Sequence, residues 1–426
     1  MPVFDAERHL RLAGERALLD GELHARGPFG SPLSDAAAAL LAVEAIDRER
    51  AEAVVEEYRL AVAVRMREGG MRPGARISRP MTGVPIGHSS TVFGGGPAPA
   101  ALAPRRLIPC DRHLETATAH IHVRYASLSA EATVLGVRLE LSAGSSGRPM
   151  FATRAGVPLR PGGPPTVTLR DDRGTRASAH FAGAGDGRAM HGTLAAHTPL
   201  AADTAWIELD GERIELDEAV VPPPVALEAL PDEPPALRHL WHLLAGNGGL
   251  RGPTPDLDPI IETLVAAGTL AVDDPALDGV RAVRDALHFT PGQPAGAAVP
   301  EPWRSLLARQ GATDGRTFSM LIGAATPPIA GVAVVAVELE SREEGFDLEV
   351  HTVPGIVYPR EPAVLRWWAA DDLGNQYLGN IGRWSGSEQG GSGQVAFWPA
   401  LHPRASRLRL MPTGPSERAV VEVTLP

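Results

Sequence analysis

The spacing of apolar side chains switches between two periods along this chain. In residues 1–70 and 236–310, apolar positions recur every three to four residues, and this spacing predicts amphipathic helices. In residues 105–221 and 320–426, apolar and polar positions alternate, which predicts short β-strands separated by turns. The pattern therefore predicts a helical block, a β-sandwich, a second helical block and a second β-sandwich, in that order.

Segments without either period separate these blocks. They are rich in proline and, in the first case, glycine, and we expect both to be linkers. The predicted division of the chain is 1–70 helical block, 71–104 Gly/Pro-rich linker, 105–221 first β-sandwich, 222–235 Pro-rich linker, 236–310 second helical block and 320–426 second β-sandwich.

A short acidic motif occurs once in each predicted sandwich. Asp171–Asp172 and Asp371–Asp372 stand 200 positions apart, and a glycine follows each pair after one intervening residue. An aspartate can accept hydrogen bonds from its own backbone two residues on, while glycine adopts the positive φ that closes a tight turn. The motif therefore predicts a hairpin turn in each half and a tandem duplication of the chain.

The composition fits a folded multidomain protein and excludes several classes of enzyme. At 426 residues the chain is too long for one core, and its 44% hydrophobic and 21% charged residues are typical of globular proteins. All 40 basic residues are arginine. Without lysine, the chemistry of pyridoxal enzymes, Walker-type NTPases and ordinary protein kinases is excluded.

Charge and cysteine content limit the partners and the compartment. A net charge of −11 argues against a nucleic-acid partner. Cys110 is the single cysteine, so neither an intrachain disulfide nor a multi-cysteine zinc site is possible. The sequence has no apolar run long enough for a membrane span and no apolar signal core at its start. We therefore expect a cytoplasmic protein without membrane insertion.

Aromatic side chains gather in the second predicted sandwich. Trp367 and Trp368 are adjacent on a predicted strand, so we expect one indole to be buried and the other to face outward. An outward tryptophan can anchor a partner protein or stack on a sugar ring. The alternative is a wider hydrophobic core. The candidate partner-binding residues are Trp367, Trp368, Tyr377 and Trp384.

Histidines on the first predicted sandwich form a candidate metal site. His120 and His122 lie two apart on a predicted strand and therefore face the same way. His113, with Cys110 and Asp111 beside it, can join them if the chain folds back. The alternative interpretation is the polar face of an edge strand. As a metal site, His113, His120 and His122 would suit a metal-dependent hydrolase.

The C-terminal quarter resembles an uncharacterised family of proteins from GC-rich actinobacteria. The resemblance rests on Asp371, Asp372, Gly374, Tyr377, Phe397, Pro399, Ala400, Leu401, Pro403, Ala405, Leu408 and Leu410. The same ending is distantly similar to the immunoglobulin-like ectodomain of Gram-positive anti-sigma-type membrane proteins. The resemblance implies an immunoglobulin-like fold and assigns no catalytic residue.

These observations predict an α+β multidomain protein, built as a tandem duplication of a small helical block followed by an immunoglobulin-like antiparallel β-sandwich. The leading hypothesis is a non-enzymatic binding or assembly protein, a scaffold or adaptor without cofactor, whose partner is a protein. Two alternatives stay open. One is the metal-dependent hydrolase, and the other is a carbohydrate-binding module.

Overall fold

The structure is a computed structural model, and it describes the predicted helical and β segments in part. The predicted linker at 71–104 lies almost entirely outside the described residues. These are residues 4–19, 32–68, 104–115, 119–130, 132–141, 166–185, 189–196, 198–209, 211–247, 257–289, 299–353, 365–386 and 391–426.

Helices occupy both segments with helical spacing, and they belong to one compact unit. Leu10, Leu40 and Val54 are buried in a shared core. The imidazole Nε2 of His9 lies 3.2 Å from the hydroxyl oxygen of Thr263, so the two helical segments are in contact. The described helices are α1 (Ala6–Leu19), α2 (Pro32–Ala42), α3 (Arg48–Glu68), α4 (Pro235–Asn247), α5 (Asp258–Ala266), α6 (Pro275–Phe289) and α7 (Trp303–Ala308). None of them is long and apolar enough to cross a membrane.

The first β segment forms one sheet with the strand order β1-β2-β3-β6-β5-β4-β7-β8. Apolar side chains from its first to its last strand share one core, and the backbone N–H of Val220 donates to the carbonyl of Leu107 at 2.8 Å. The sheet therefore curls around its own core. Its strands are β1 (Arg106–Glu115), β2 (Ala119–Leu128), β3 (Thr133–Leu141), β4 (Thr166–Asp171), β5 (Arg176–Gly185), β6 (Ala189–Ala196), β7 (Trp206–Leu209) and β8 (Glu212–Glu215).

The second β segment repeats this order strand for strand, as β10-β11-β12-β15-β14-β13-β16-β17, and β9 is added beside β17. These strands are β9 (Val225–Ala229), β10 (Phe318–Ala325), β11 (Ala333–Ser341), β12 (Phe346–Val353), β13 (Arg366–Asp371), β14 (Gln376–Gly386), β15 (Gly391–Trp398), β16 (Arg407–Thr413) and β17 (Glu417–Thr424). A fold of antiparallel sheets with accompanying helices is thus confirmed. The immunoglobulin-like prediction expected two facing sheets in each half, whereas each half has a single curled sheet.

The acidic motif forms a hairpin turn in both sheets, as predicted. The carboxylate oxygen Oδ1 of Asp171 accepts hydrogen bonds from the backbone N–H groups of Arg173 and Thr175, at 3.1 and 2.6 Å. Gly174 and Gly374 have φ angles of 80° and 86°, in the region that favours glycine. The turns join β4 to β5 and β13 to β14. Turn chemistry therefore fixes the same hairpin twice.

Candidate functional site

The predicted aromatic binding face is buried. Trp367 and Tyr377 have almost no exposed surface, and Trp368 is 9% exposed. Strand β13 lies between β14 and β16, and every one of its side chains is buried. The prediction that one of the two adjacent tryptophans faces outward is therefore wrong, because both indoles are buried. These three aromatic rings are not available to a partner or a sugar.

Trp367 packs closely against a cross-strand neighbour that has no side chain. It pairs with Gly379 across β13 and β14. A Cβ atom on Gly379 would lie 2.7 Å from Cβ of Trp367 and 2.7 Å from Cγ1 of Val395. The first sheet has a smaller pair at the corresponding place, Val167 opposite Ala179. Trp367 is therefore part of the core packing of the second sheet.

Tyr377 supports the turn that precedes it. Its hydroxyl donates to Oδ2 of Asp371 at 2.7 Å and accepts from the backbone N–H of His402 at 3.1 Å. Its ring meets the edge of Phe346 with the centroids 5.2 Å apart. These contacts make Tyr377 a structural residue of the second sheet. The fourth predicted contact residue, Trp384, lies on β14 opposite Gly393, and its side chain is outside the described part of the structure.

Part of the predicted histidine cluster does assemble, with Asp111 in place of His120. Nε2 of His122 lies 2.8 Å from Oδ1 of Asp111, and the ring of His113 stacks on that of His122 with the centroids 4.2 Å apart. One potential ligand atom from each of the three lies within 4.8 Å of the others. His120 instead pairs with Glu115, 3.7 Å from Nδ1 to Oε1.

A β-bulge brings these three side chains together. His113 and His122 are direct partners in the pairing of β1 with β2, and the register shifts between Pro109 and Arg112. Asp111 lies in that bulge with a φ angle of 40°. A bulge redirects side chains relative to a regular strand, and here it turns the Asp111 carboxylate toward His122. The bulge is not visible in the alternation of the sequence, so Asp111 was expected only as a neighbour.

Cys110 belongs to the core and not to this cluster. Its side chain packs against the core of the first sheet, and its thiol donates to the carbonyl oxygen of Ile108 at 3.7 Å. Burial raises the pKa of the Cys110 thiol to about 12. The thiol therefore stays protonated at neutral pH and is a poor metal ligand.

A buried group of charged side chains joins the two sheets, and no sequence motif predicts it. Arg124 on β2 contacts the carboxylates of Glu338 on β11 and Glu349 on β12, and the Arg124–Glu349 distance is 2.7 Å. The hydroxyl of Tyr125 donates to Glu349, and that of Ser319 donates to Glu338 at 3.2 Å. We call Arg124, Tyr125, Glu338 and Glu349 the inter-sheet cluster.

Attraction between Arg124 and the two carboxylates offsets part of the cost of burying the inter-sheet cluster. Burial alone would lower the pKa of Arg124, but the carboxylates of Glu349 and Glu338 raise it above its ordinary value. Burial raises the pKa of Glu338, and attraction by Arg124 offsets part of this rise. Burial, followed by the negative charge of Glu349, raises the pKa of the Tyr125 hydroxyl, which therefore remains a donor. Arg124 is therefore held in its charged form between the two carboxylates, which makes the cluster a structural link between the sheets.

No protein-family model and no curated protein matches the chain. Among solved structures, the chain matches a conserved domain protein from Bacillus anthracis at 9% sequence identity, over 75% of this chain and 82% of that chain. The TM-score of the match is 0.18, too low to carry an argument about fold or function.

Proposed function

We propose that this chain is a non-enzymatic binding or assembly protein that acts through the surfaces of its two β-sheets. The observation that carries the proposal is the inter-sheet cluster. Arg124 is held by carboxylates from two strands of the other sheet, and removing its guanidinium would leave both buried carboxylates without their cation. Such a link favours one fixed arrangement of the sheets, which is what a scaffold needs in order to present a defined surface.

The repeated strand order and the two Asp-Asp-x-Gly turns support a further part of this proposal, that the sheets arose by duplication. Duplicated modules that differ mainly in side chains are well suited to binding, because a common scaffold can carry different surfaces. The partner would be a protein, in keeping with the negative net charge of −11.

Among the described residues, the edge strand β9 is the most suitable surface for such a partner. It is hydrogen-bonded to β17 on one side and has no described strand on the other. Glu228 anchors it through ion pairs with Arg409 and Arg418, at 2.5 and 2.7 Å. Beside this anchor, Leu227 is 47% exposed. A free edge with an exposed apolar side chain can accept a strand from another protein.

The experiment is capture of partners from the source cells with the tagged full-length chain, identified by mass spectrometry. The matched pair of variants is Leu227→Glu, on the edge strand, and Val272→Glu, an equally drastic change at a position that is 73% exposed outside the sheets. We expect a stoichiometric protein partner that Val272→Glu retains and Leu227→Glu loses. A partner retained by both variants would move the binding surface away from β9. Recovery of no stoichiometric protein partner would contradict the proposed function.

A further inference from the structure

We infer that Asp111, His113 and His122 form a binding site for one divalent transition-metal ion on the first sheet. The ligand atoms of the three side chains already lie within 4.8 Å of one another. Two imidazoles and one carboxylate are a common ligand set for zinc and related ions, and three protein ligands leave a position for water. The inference is independent of partner binding at β9.

The arrangement is set by the backbone rather than by long, flexible side chains. His113 and His122 face each other across adjacent strands, so their rings stack with an interplanar angle of 9°. The bulge supplies the third group by directing Asp111 to within 2.8 Å of His122. All three are short-range neighbours on one hairpin, so little conformational entropy is lost when they converge on an ion.

Comparison with the second sheet shows that the fold does not require these side chains. Strand β10 has a bulge at the corresponding place, between Leu321 and Ala324, and there Gly323 takes the positive φ, at 70°. Ala325 pairs with Val335 where His113 pairs with His122. A non-glycine residue with a left-handed backbone is less favourable than glycine by about 1 kcal/mol or more. The first sheet therefore accepts a less favourable backbone in order to place a carboxylate beside two imidazoles.

Neighbouring groups define both the class of ion and the limits of the site. Calcium and magnesium prefer shells made of oxygen, whereas imidazole favours zinc, cobalt, nickel and copper. Arg138 pairs with His122 across β2 and β3, but its guanidinium turns to Glu140 at 3.0 Å, which compensates its positive charge. His120 lies on the same strand as His122 but pairs with Glu115, outside the cluster.

The test is titration of the chelator-stripped full-length chain with Co²⁺, followed by visible absorption, and with Zn²⁺, followed by calorimetry. We expect one ion per chain. His122→Ala and Asp111→Gly should each weaken binding by about tenfold or more, since the loss of even an outer-shell partner of a metal ligand has an effect of that size. His120→Ala is the matched control, because it removes an exposed imidazole from the same strand. This variant should bind the ion as tightly as the unmodified chain does.

Asp111→Gly also separates loss of the site from loss of the fold. Glycine adopts the positive φ of position 111 without strain, so this variant should unfold at or above the temperature of the unmodified chain. The inference is overturned if the chain takes up no ion, or if Asp111→Gly and His122→Ala bind as tightly as His120→Ala. Chelation should leave capture of a partner at β9 unchanged, so the two proposals can fail separately.

Discussion

The two β-sheets share a strand order and a turn but differ in what fills their cores. At the position of Tyr377, whose hydroxyl holds Asp371, the first sheet has Ala177 after Asp171. At the positions of Trp367 and Gly379 it has Val167 and Ala179. The comparison shows that one topology accommodates core side chains of different size while the turn chemistry and the alternation of apolar positions are kept. Core size and surface chemistry are then free to diverge between the halves.

The largest change in stability is expected at the inter-sheet cluster, which links the two sheets. Replacing the guanidinium in Arg124→Ala leaves the carboxylates of Glu338 and Glu349 without their cation. We expect the free energy of unfolding to fall by about 3–5 kcal/mol, the usual effect of breaking a buried ion pair from one side. Chemical denaturation of the full-length chain measures this change.

The control for this prediction is Arg138→Ala. Arg138 also pairs with a glutamate, Glu140, but the side chains are 45% and 55% exposed. An exposed pair contributes about 1 kcal/mol or less. If both variants lost the same amount, the inter-sheet cluster would be no more important than a surface ion pair, and the sheets could not be regarded as fixed to each other by it.

The second test concerns the core pair in which the two sheets differ. Gly379→Ala alone should destabilise the chain by about 1–3 kcal/mol, because the new methyl group meets Trp367, Val395 and Phe397. In a Val395→Ala background the same change should be less harmful, since Cγ1 of Val395, which would lie 2.7 Å from the new methyl group, is then absent. A double-mutant cycle in denaturant measures the difference. Equal losses in the two backgrounds would show that Val395 does not set the space at position 379.

These comparisons also show how much of the molecule the sequence predicts. The strands follow from alternation, and the hairpins at Asp171 and Asp371 follow from local turn chemistry. The sequence also predicts His113 and His122 as members of one candidate metal site, and in the structure their rings stack. Features that depend on local spacing are therefore readily predicted.

Features that depend on contacts between distant parts of the chain are not predicted from the sequence. Whether Trp368 is exposed depends on what covers β13, which alternation along one strand does not reveal. The contact between Arg124 and Glu338 spans 214 positions, with no motif that links them. Asp111 joins the candidate metal site through a bulge whose position is set by the pairing of β1 with β2. In each case tertiary structure determines the environment of the side chain.

The smallest change in stability is expected at the turn that joins β13 to β14. Asp371 accepts hydrogen bonds from two backbone N–H groups, from the Asn375 amide at 2.7 Å and from Tyr377. In the first sheet, Oδ2 of Asp171 has no hydrogen-bond partner among the described residues. Tyr377→Phe therefore makes the second turn more like the first, and we expect a loss of about 1.5 kcal/mol in the free energy of unfolding, the lower end of the range for a hydrogen bond to a charged group, because Asp371 keeps its other hydrogen bonds.

The matched control is Tyr58→Phe, because the Tyr58 hydroxyl donates to a neutral acceptor, the carbonyl oxygen of Arg11, at 2.8 Å. Hydrogen bonds to charged groups contribute more than those to neutral groups, so Tyr377→Phe should cost more than Tyr58→Phe when both are measured in denaturant. A smaller loss for Tyr377→Phe would mean that its hydroxyl contributes less to stability than a hydrogen bond to a neutral acceptor does. The main contribution of Tyr377 would then be its ring, which packs in the core beside Phe346.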